Sequence, residues 1–356
     1  MLLLVAFVAM HAGASAQVVT LSTELLRDDI PATIQRSRAA VTWQPAAQWV
    51  SETGYRYVFA DQDPFNGLPR LRPALHALDQ TIELRLPSLG LRARAMGTLS
   101  RIGGGAYYGD YELGLRYTAA CTVVEGGLPL RLALRAAGGR ERNLSVSTAL
   151  MENVGMHTGV VEADVTVNDV LQLVGNAGRE WYLDGNRKDV AYFYALLHAM
   201  DDPKVAVGYA YSWADSDRSS WSMTGSTFNP RQREYSYSYF YFPYFTPLNE
   251  RGHLLIALVQ WPLAPWLLVH GKVSLPVWSR GSLKWMPESG NTAIPNDYHV
   301  TYDIDDILPT QIDGGCIVQW SPALAVDLGV SSFSKPYYQY IAGRLTLLYA
   351  PFAASD

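Results

Sequence analysis

The chain has 356 residues, of which 49 % are hydrophobic and 12 % aromatic, and its formal net charge is −5 at pH 7. A chain of this length can fold as one or two soluble domains or close into one sizeable barrel. The acidic balance argues against a general nucleic-acid binder. The two cysteines are too few and too far apart for a disulfide framework or a zinc site, so we predict no metal and no nucleic-acid partner.

The first 16 residues have the pattern of a secretory signal peptide. An apolar run over residues 2–10 is followed by Ala14-Ser15-Ala16, a small-x-small cleavage site, directly before Gln17. The positively charged segment that normally precedes the apolar run is missing, and a short buried helix is the alternative interpretation. We predict an exported protein in which residues 17–356 form a single domain.

Strand patterns begin soon after this segment. Large apolar or aromatic residues alternate with small or charged ones over residues 54–61, 81–86, 91–95, 111–118 and 130–135. Each of these strands carries its charges on one face only. The charged residues are Arg56, Glu83, Arg85, Arg92, Arg94, Glu112, Arg116, Arg131 and Arg135. We predict that they line an aqueous lumen, either as a track for a substrate or as a structural network of arginines and glutamates.

The same alternation continues to the carboxyl terminus. Further strands are predicted at 143–150, 159–167, 170–174, 190–197, 254–261, 266–275, 299–303, 316–320, 324–330 and 343–349, with turns at 137–140, 184–186, 289–291 and 313–315. Beyond the signal segment no run of about 18 apolar residues could form a membrane-spanning helix. We therefore predict an all-β fold, a transmembrane antiparallel up-and-down β-barrel of about 14–16 strands. An exported soluble β-protein is the alternative, because antiparallel sheets also occur with one wet face.

The strongest alternation lies between residues 203 and 245. Residues 204–213 place Val205, Val207 and Tyr209 on one face, opposite the small residues Ala206 and Gly208. Residues 234–242 place four tyrosines, at 235, 237, 239 and 241, on one face. We predict two barrel strands whose large faces contact lipid, with the lumen as the alternative for the tyrosine row.

Short motifs in the chain are similar to those of one family of barrels. They are Trp-Tyr-Leu-Asp-Gly-Asn-Arg at 181–187, Val-Ala-Val-Gly-Tyr-Ala-Tyr at 205–211 and Phe-Asn-Pro-Arg-Gln-Arg-Glu-Tyr at 228–235, preceded by segments at 54–57 and 65–71. Together they resemble the carboxyl-terminal outer-membrane barrel of exopolysaccharide export proteins, such as the cellulose and poly-N-acetylglucosamine export porins. The residues that carry the likeness are Asp184, Gly185, Asn186, Arg187 and Pro230.

The resemblance implies a channel in the outer membrane of a Gram-negative-type cell envelope, surrounded by lipid, with a polysaccharide as its substrate. The 34-residue helical repeats that usually precede this barrel have no counterpart in the sequence, so a periplasmic scaffold and an inner-membrane synthase would be separate partners. Such a channel needs no cofactor and no catalytic residue, and no serine lies in a Gly-x-Ser-x-Gly motif. The alternatives are a surface β-protein that binds carbohydrate without a pore and a general or structural outer-membrane porin.

Overall fold

The computed structural model describes residues 16–28, 32–64, 70–103, 105–122, 129–142, 154–217, 222–229, 234–241, 247–285, 300–335 and 338–350. The strands of this part of the chain are β1 (Ala16–Asp28), β2 (Ala32–Ala46), β3 (Trp49–Gln62), β4 (Ala74–Leu86), β5 (Leu91–Ile102), β6 (Tyr107–Thr122), β7 (Pro129–Arg142), β8 (Gly155–Val167), β9 (Leu171–Tyr182), β10 (Arg187–Asp201), β11 (Lys204–Ser216), β12 (Ser222–Asn229), β13 (Glu234–Tyr241), β14 (Leu248–Ala264), β15 (Leu267–Trp285), β16 (Val300–Asp305), β17 (Thr310–Ser321), β18 (Leu324–Lys335) and β19 (Tyr338–Tyr349). A 3-10 turn, Pro87–Leu89, joins β4 to β5. No helix among these residues is long and apolar enough to cross a membrane.

Sixteen of the strands form a closed antiparallel β-barrel, which confirms the predicted fold class and strand number. Strands β1 to β11 pair in sequence order, and β14, β15, β17, β18 and β19 complete the wall. The barrel closes where β19 pairs with β1, from Val19 opposite Tyr349 to Asp28 opposite Tyr340. Strand β16 pairs with residues 280–285 of β15, on the same edge of β15 whose residues 267–274 pair with β17.

The two ends of the barrel differ in the length of their connections. At one end, called here the short-turn end, β2–β3, β8–β9 and β10–β11 are joined by residues 47–48, 168–170 and 202–203. At the other end, the loop end, connections run over residues 63–73, 217–247 and 286–309. This asymmetry is typical of outer-membrane barrels, which have short periplasmic turns and longer extracellular loops.

The outer face of the barrel is apolar. Leu78, Leu113 and Leu255 are between 53 % and 59 % exposed there. Aromatic side chains lie toward both ends, and the exposed ones include Trp49, Trp261, Trp266 and Trp320 near the short turns and Tyr107, Trp181 and Trp278 near the loops. An apolar band between two aromatic girdles is the pattern of a barrel surrounded by lipid.

The inner face contains the buried apolar residues. One cluster includes Leu26, Ile34, Val58 and Leu75 on β1 to β4. The second lies across β10, β11 and β14, and it includes Leu308 from the connection between β16 and β17. The backbone N–H of Leu308 donates a hydrogen bond to Ser279 Oγ at 3.1 Å. This connection therefore packs against the inner wall at the loop end.

Strand β11 confirms the predicted assignment of its two faces. Val207 and Tyr209 are 45 % and 41 % exposed, whereas Ala206 and Ala210 are buried. Ala210 packs in the inner cluster with Leu254 of β14. Small residues fit the inner face of β11 because bulky side chains of neighbouring strands occupy the space in front of it.

The predicted barrel strand at 234–242 is wrong. Strand β13 pairs with β12 in a separate two-stranded sheet, and neither strand is paired with the barrel in the part of the chain that the structure describes. The two strands form a hairpin within the long connection between β11 and β14. Period-two alternation indicates an extended strand but does not specify its partner, and a local hairpin satisfies it as well as a wall strand does.

Two predicted turns are also wrong, because residues 137–140 lie within β7 and residues 313–315 within β17. A Cβ atom on Gly139 would lie 2.1 Å from the carbonyl oxygen of Tyr111, and one on Gly315 would lie 2.3 Å from that of Leu328. These glycines allow close approach of neighbouring strands rather than a reversal of the chain. The turn at 184–186 is present, while the predictions for 1–15, 143–150, 289–291 and Pro230 lie outside the described residues.

Candidate functional site

Four arginines occupy one row across the inner wall. Arg85 of β4 is opposite Arg92 of β5, Arg92 is opposite Arg116 of β6, and Arg116 is opposite Arg135 of β7. Neighbouring strands are about 4.8 Å apart, so these side chains project from adjacent positions. We call this row the arginine ladder. Like charges directly opposite each other destabilise a sheet, so the stability of the barrel alone does not account for it.

Carboxylates neutralise only part of the ladder. Glu83 Oε1 lies 2.5 Å from Arg85 Nε, and Glu112 Oε1 lies 3.9 Å from Arg135 Nη2. Three exposed arginines of this region have no carboxylate within 4.0 Å among the described residues. They are Arg92, Arg94 and Arg116. Five arginines therefore accompany two glutamates, and this part of the wall carries a positive excess.

The two remaining predicted arginines, Arg56 and Arg131, are held by aspartates. Arg56 Nη2 donates to Asp79 Oδ1 at 2.9 Å, and Asp79 is only 5 % exposed and also accepts a hydrogen bond from Thr98 Oγ1 at 2.8 Å. Arg131 lies 2.6 Å from Asp169 in the exposed turn after β8. The structural alternative therefore describes these two arginines better than a substrate track does.

The register places all nine predicted lumen residues on one side of β3 to β7. Glu83 is opposite Arg94, and Glu112 lies two residues from Gly114, the partner of Arg94 on β6. The exposed apolar residues of the same strands, such as Leu113, point to the other side. That these nine residues line a conducting pore remains a prediction.

Elsewhere on the inner wall, arginines lie beside carboxylates. Arg36 Nη1 lies 2.8 Å from Glu24 Oε2, between β2 and β1. Arg344 Nη2 lies 3.1 Å from Asp327, and the same carboxylate is 3.5 Å from His270 Nε2. The excess of unpaired arginines is therefore a property of β4 to β7.

The family-like motif forms the turn between β9 and β10. Gly185 has a φ of 84°, a left-handed conformation that glycine adopts without strain. Asp184 Oδ1 accepts a hydrogen bond from the backbone N–H of Asn186 at 2.9 Å, and Asn186 Oδ1 accepts one from the N–H of Arg187 at 3.0 Å. Asp and Asn commonly stabilise turns in this way. The motif therefore has a structural explanation and lies at the loop end, away from the ladder.

A pocket of about 380 Å³, lined by both polar and apolar residues, opens in the inner wall on the loop side of the ladder. Its lining includes Ser100, Asp110, Glu141 and Glu180, none of which was singled out from the sequence. Alternation along each strand already placed Asp110 on the same face as Glu112. The pocket could not be predicted from the sequence because its walls come from strands β3 to β10, whose register is set only on folding.

Comparison with known proteins gives a likeness of fold. No family model matches the chain, and no curated protein matches it. Among solved structures, a "Bacterial polysaccharide outer membrane secretin" has a TM-score of 0.57 at 11 % identity, covering 94 % of this chain and 98 % of that one. OccD3 (OpdP) of Pseudomonas aeruginosa has a TM-score of 0.43 at 9 % identity (95 % and 92 % covered), and OccAB4 of Acinetobacter baumannii has 0.42 at 10 % (94 % and 98 % covered). The first of these shows that the chain has the fold of an outer-membrane barrel.

Proposed function

We propose that this protein is a channel of the outer membrane through which a polysaccharide is exported. The arginine ladder carries the proposal, because it places a row of hydrogen-bond donors with a positive excess on the inner wall. Guanidinium groups bind hydroxyl and carboxylate oxygens in multidentate geometry, as a sugar chain requires. The likeness to a polysaccharide secretin supports this choice of substrate.

The outer face supports the location. Charged residues are costly on the lipid side of a barrel, and the exposed residues between the two aromatic girdles are mostly apolar. Outer-membrane barrels have their short turns on the periplasmic side. The short-turn end, where β1 starts and β19 finishes, would therefore face the periplasm. A polymer would enter there and meet Arg92 and Arg85, which lie beside the β4–β5 turn, early in its passage.

Membrane extraction and ion selectivity test the channel. The protein should leave the envelope only with detergent and migrate differently on gels before and after heating. In planar bilayers with a salt gradient, the reversal potential should show anion preference, because charged side chains set selectivity through their local potential. Changing Arg94 and Arg116 together to glutamate should shift the preference toward cations, whereas the same change at the carboxylate-bound Arg131 should have a smaller effect. A conducting pore indifferent to the double change would refute the assignment of the ladder to the lumen.

Export itself is tested in the native cell. Deleting the gene should remove extracellular polysaccharide, and the wild-type gene should restore it. The R94E/R116E variant should restore less polymer while reaching the membrane at the wild-type level. Normal secretion after deletion would favour a general porin instead.

A further inference from the structure

We infer that the pocket on the loop side of the arginine ladder is a binding site for an uncharged hexose unit of the exported chain. The inference rests on the proposed function, because a sugar polymer in the lumen would pass directly over this pocket. Residues from β3 to β10 line it, among them the small residues Ala77 and Ala137. Its volume of about 380 Å³ is at the lower end of the range for small-molecule sites, about 300–1,000 Å³, as expected for a short piece of sugar chain.

Several polar atoms in the pocket wall are buried but lack a hydrogen-bond partner. Ser100 is 2 % exposed, and its Oγ makes no hydrogen bond with any described residue. The same holds for Asp110 Oδ1, on a side chain that is 10 % exposed, and for Arg56 Nε. Buried polar groups without partners are rare because each costs free energy. A ligand with several hydroxyl groups would supply the missing donors and acceptors.

The charges around the pocket favour an uncharged ligand. The charged lining residues are Arg56, Asp110, Glu112, Arg135, Arg140, Glu141, Arg142, Arg179 and Glu180. Three of them pair with residues outside the lining: Arg179 with Asp189 at 2.5 Å, Arg56 with Asp79 at 2.9 Å and Glu180 with Lys188 at 3.5 Å. Three arginines and three carboxylates remain. Alternating donors and acceptors suit sugar hydroxyls, which act in both roles, whereas the ladder below the pocket offers mainly donors.

The arrangement around Asp110 shows how the site would bind. Its Oδ2 lies 3.3 Å from Arg142 Nε, and the guanidinium of Arg142 stacks over the ring of Tyr108 with the carbon 4.0 Å from the ring centroid. The carboxylate is therefore fixed by a rigid neighbour. Its Oδ1 lies 3.9 Å from Arg140 Nε, beyond hydrogen-bond distance, and so can still accept a hydrogen bond. Preorganised groups of this kind bind ligands with a smaller entropic cost.

Isothermal titration calorimetry on the detergent-solubilised protein tests the inference. The probes are β-1,4-linked hexaoses of glucose and of N-acetylglucosamine, with a hexaose of galacturonate as the charged comparison. We expect at least one neutral hexaose to bind the wild type. The Ser100→Leu variant, which fills the pocket, should weaken this binding at least tenfold, and Ser100→Ala, which removes only the hydroxyl, about three- to tenfold. The matched control is Ser331→Leu on β18, which should bind like the wild type.

Each result has a defined meaning. Failure of both neutral hexaoses to bind, or equal binding by wild type and both Ser100 variants, would overturn the inference. Binding of galacturonate alone, weakened by R94E/R116E and unchanged by Ser100→Leu, would place recognition at the ladder and also overturn it. None of these outcomes affects the conductance and export tests. Refutation of the binding site is therefore distinguishable from refutation of the proposed channel.

Discussion

The orientation of β6 gives the sharpest test of the barrel in a membrane. Leu115 is on the outer face near the middle of this strand and is 49 % exposed. Near the middle of the bilayer, an arginine on the lipid side costs about 2–4 kcal/mol. L115R should therefore reduce the folding equilibrium constant about 30- to 1,000-fold, since each 1.4 kcal/mol is a factor of ten. The measurement is a urea titration of the protein folded into lipid vesicles, followed by heat-modifiable gel migration.

The matched control is M96R on the adjacent strand β5. Met96 faces inward opposite Glu112, whose present partner Arg135 is 3.9 Å away. A new arginine there meets water and a nearby carboxylate, so we expect a change within about 1 kcal/mol. Equal loss of stability in the two variants would refute the assignment of inner and outer faces, and with it the lumen.

Three further predictions concern the glycines, the ion pairs and the amino terminus. G139A should destabilise the folded barrel by about 1–3 kcal/mol through steric overlap with the neighbouring strand, while G97A, whose new methyl group would have nothing within 4 Å, should be close to neutral in the same titration. D79A removes an acceptor of two hydrogen bonds and should cost about 1.5–3 kcal/mol, whereas D169A at the exposed pair should stay within about 1 kcal/mol. Amino-terminal sequencing of the envelope protein should begin at or near Gln17, and a retained first residue would contradict the export signal.

The sequence was sufficient for the fold class because a barrel repeats one local rule. Period-two alternation located β11 and separated Val207 from Ala206, and that separation depends only on neighbours along the chain. It did not show that Ala206 is 4 % exposed and lies opposite Leu258. An arginine at position 206 would destabilise the barrel because the inner face has no space for it. The stability of that variant therefore does not report whether the face contacts lipid.

The remaining differences arise from information that lies between strands. The ladder formed by Arg85, Arg92, Arg116 and Arg135 depends on register, and a shift of one residue would have moved a whole strand to the other face. A glycine such as Gly139 has the same sequence signature in a turn and at a close contact between strands. The tyrosine pattern of β13 has that ambiguity at the level of a whole strand, because a hairpin and a wall segment look alike along one chain.

The seam between β1 and β19 has a consequence for biogenesis. The two strands that join there are separated in the sequence by residues 29–337, so the barrel cannot close until the strands between them are in place. Bringing such distant segments together is entropically costly and makes assembly slow. Until they meet, β1 and β19 both expose unpaired backbone groups, which attract other strands. Pairing of β1 with β19 is therefore the step that converts an open sheet into a closed barrel.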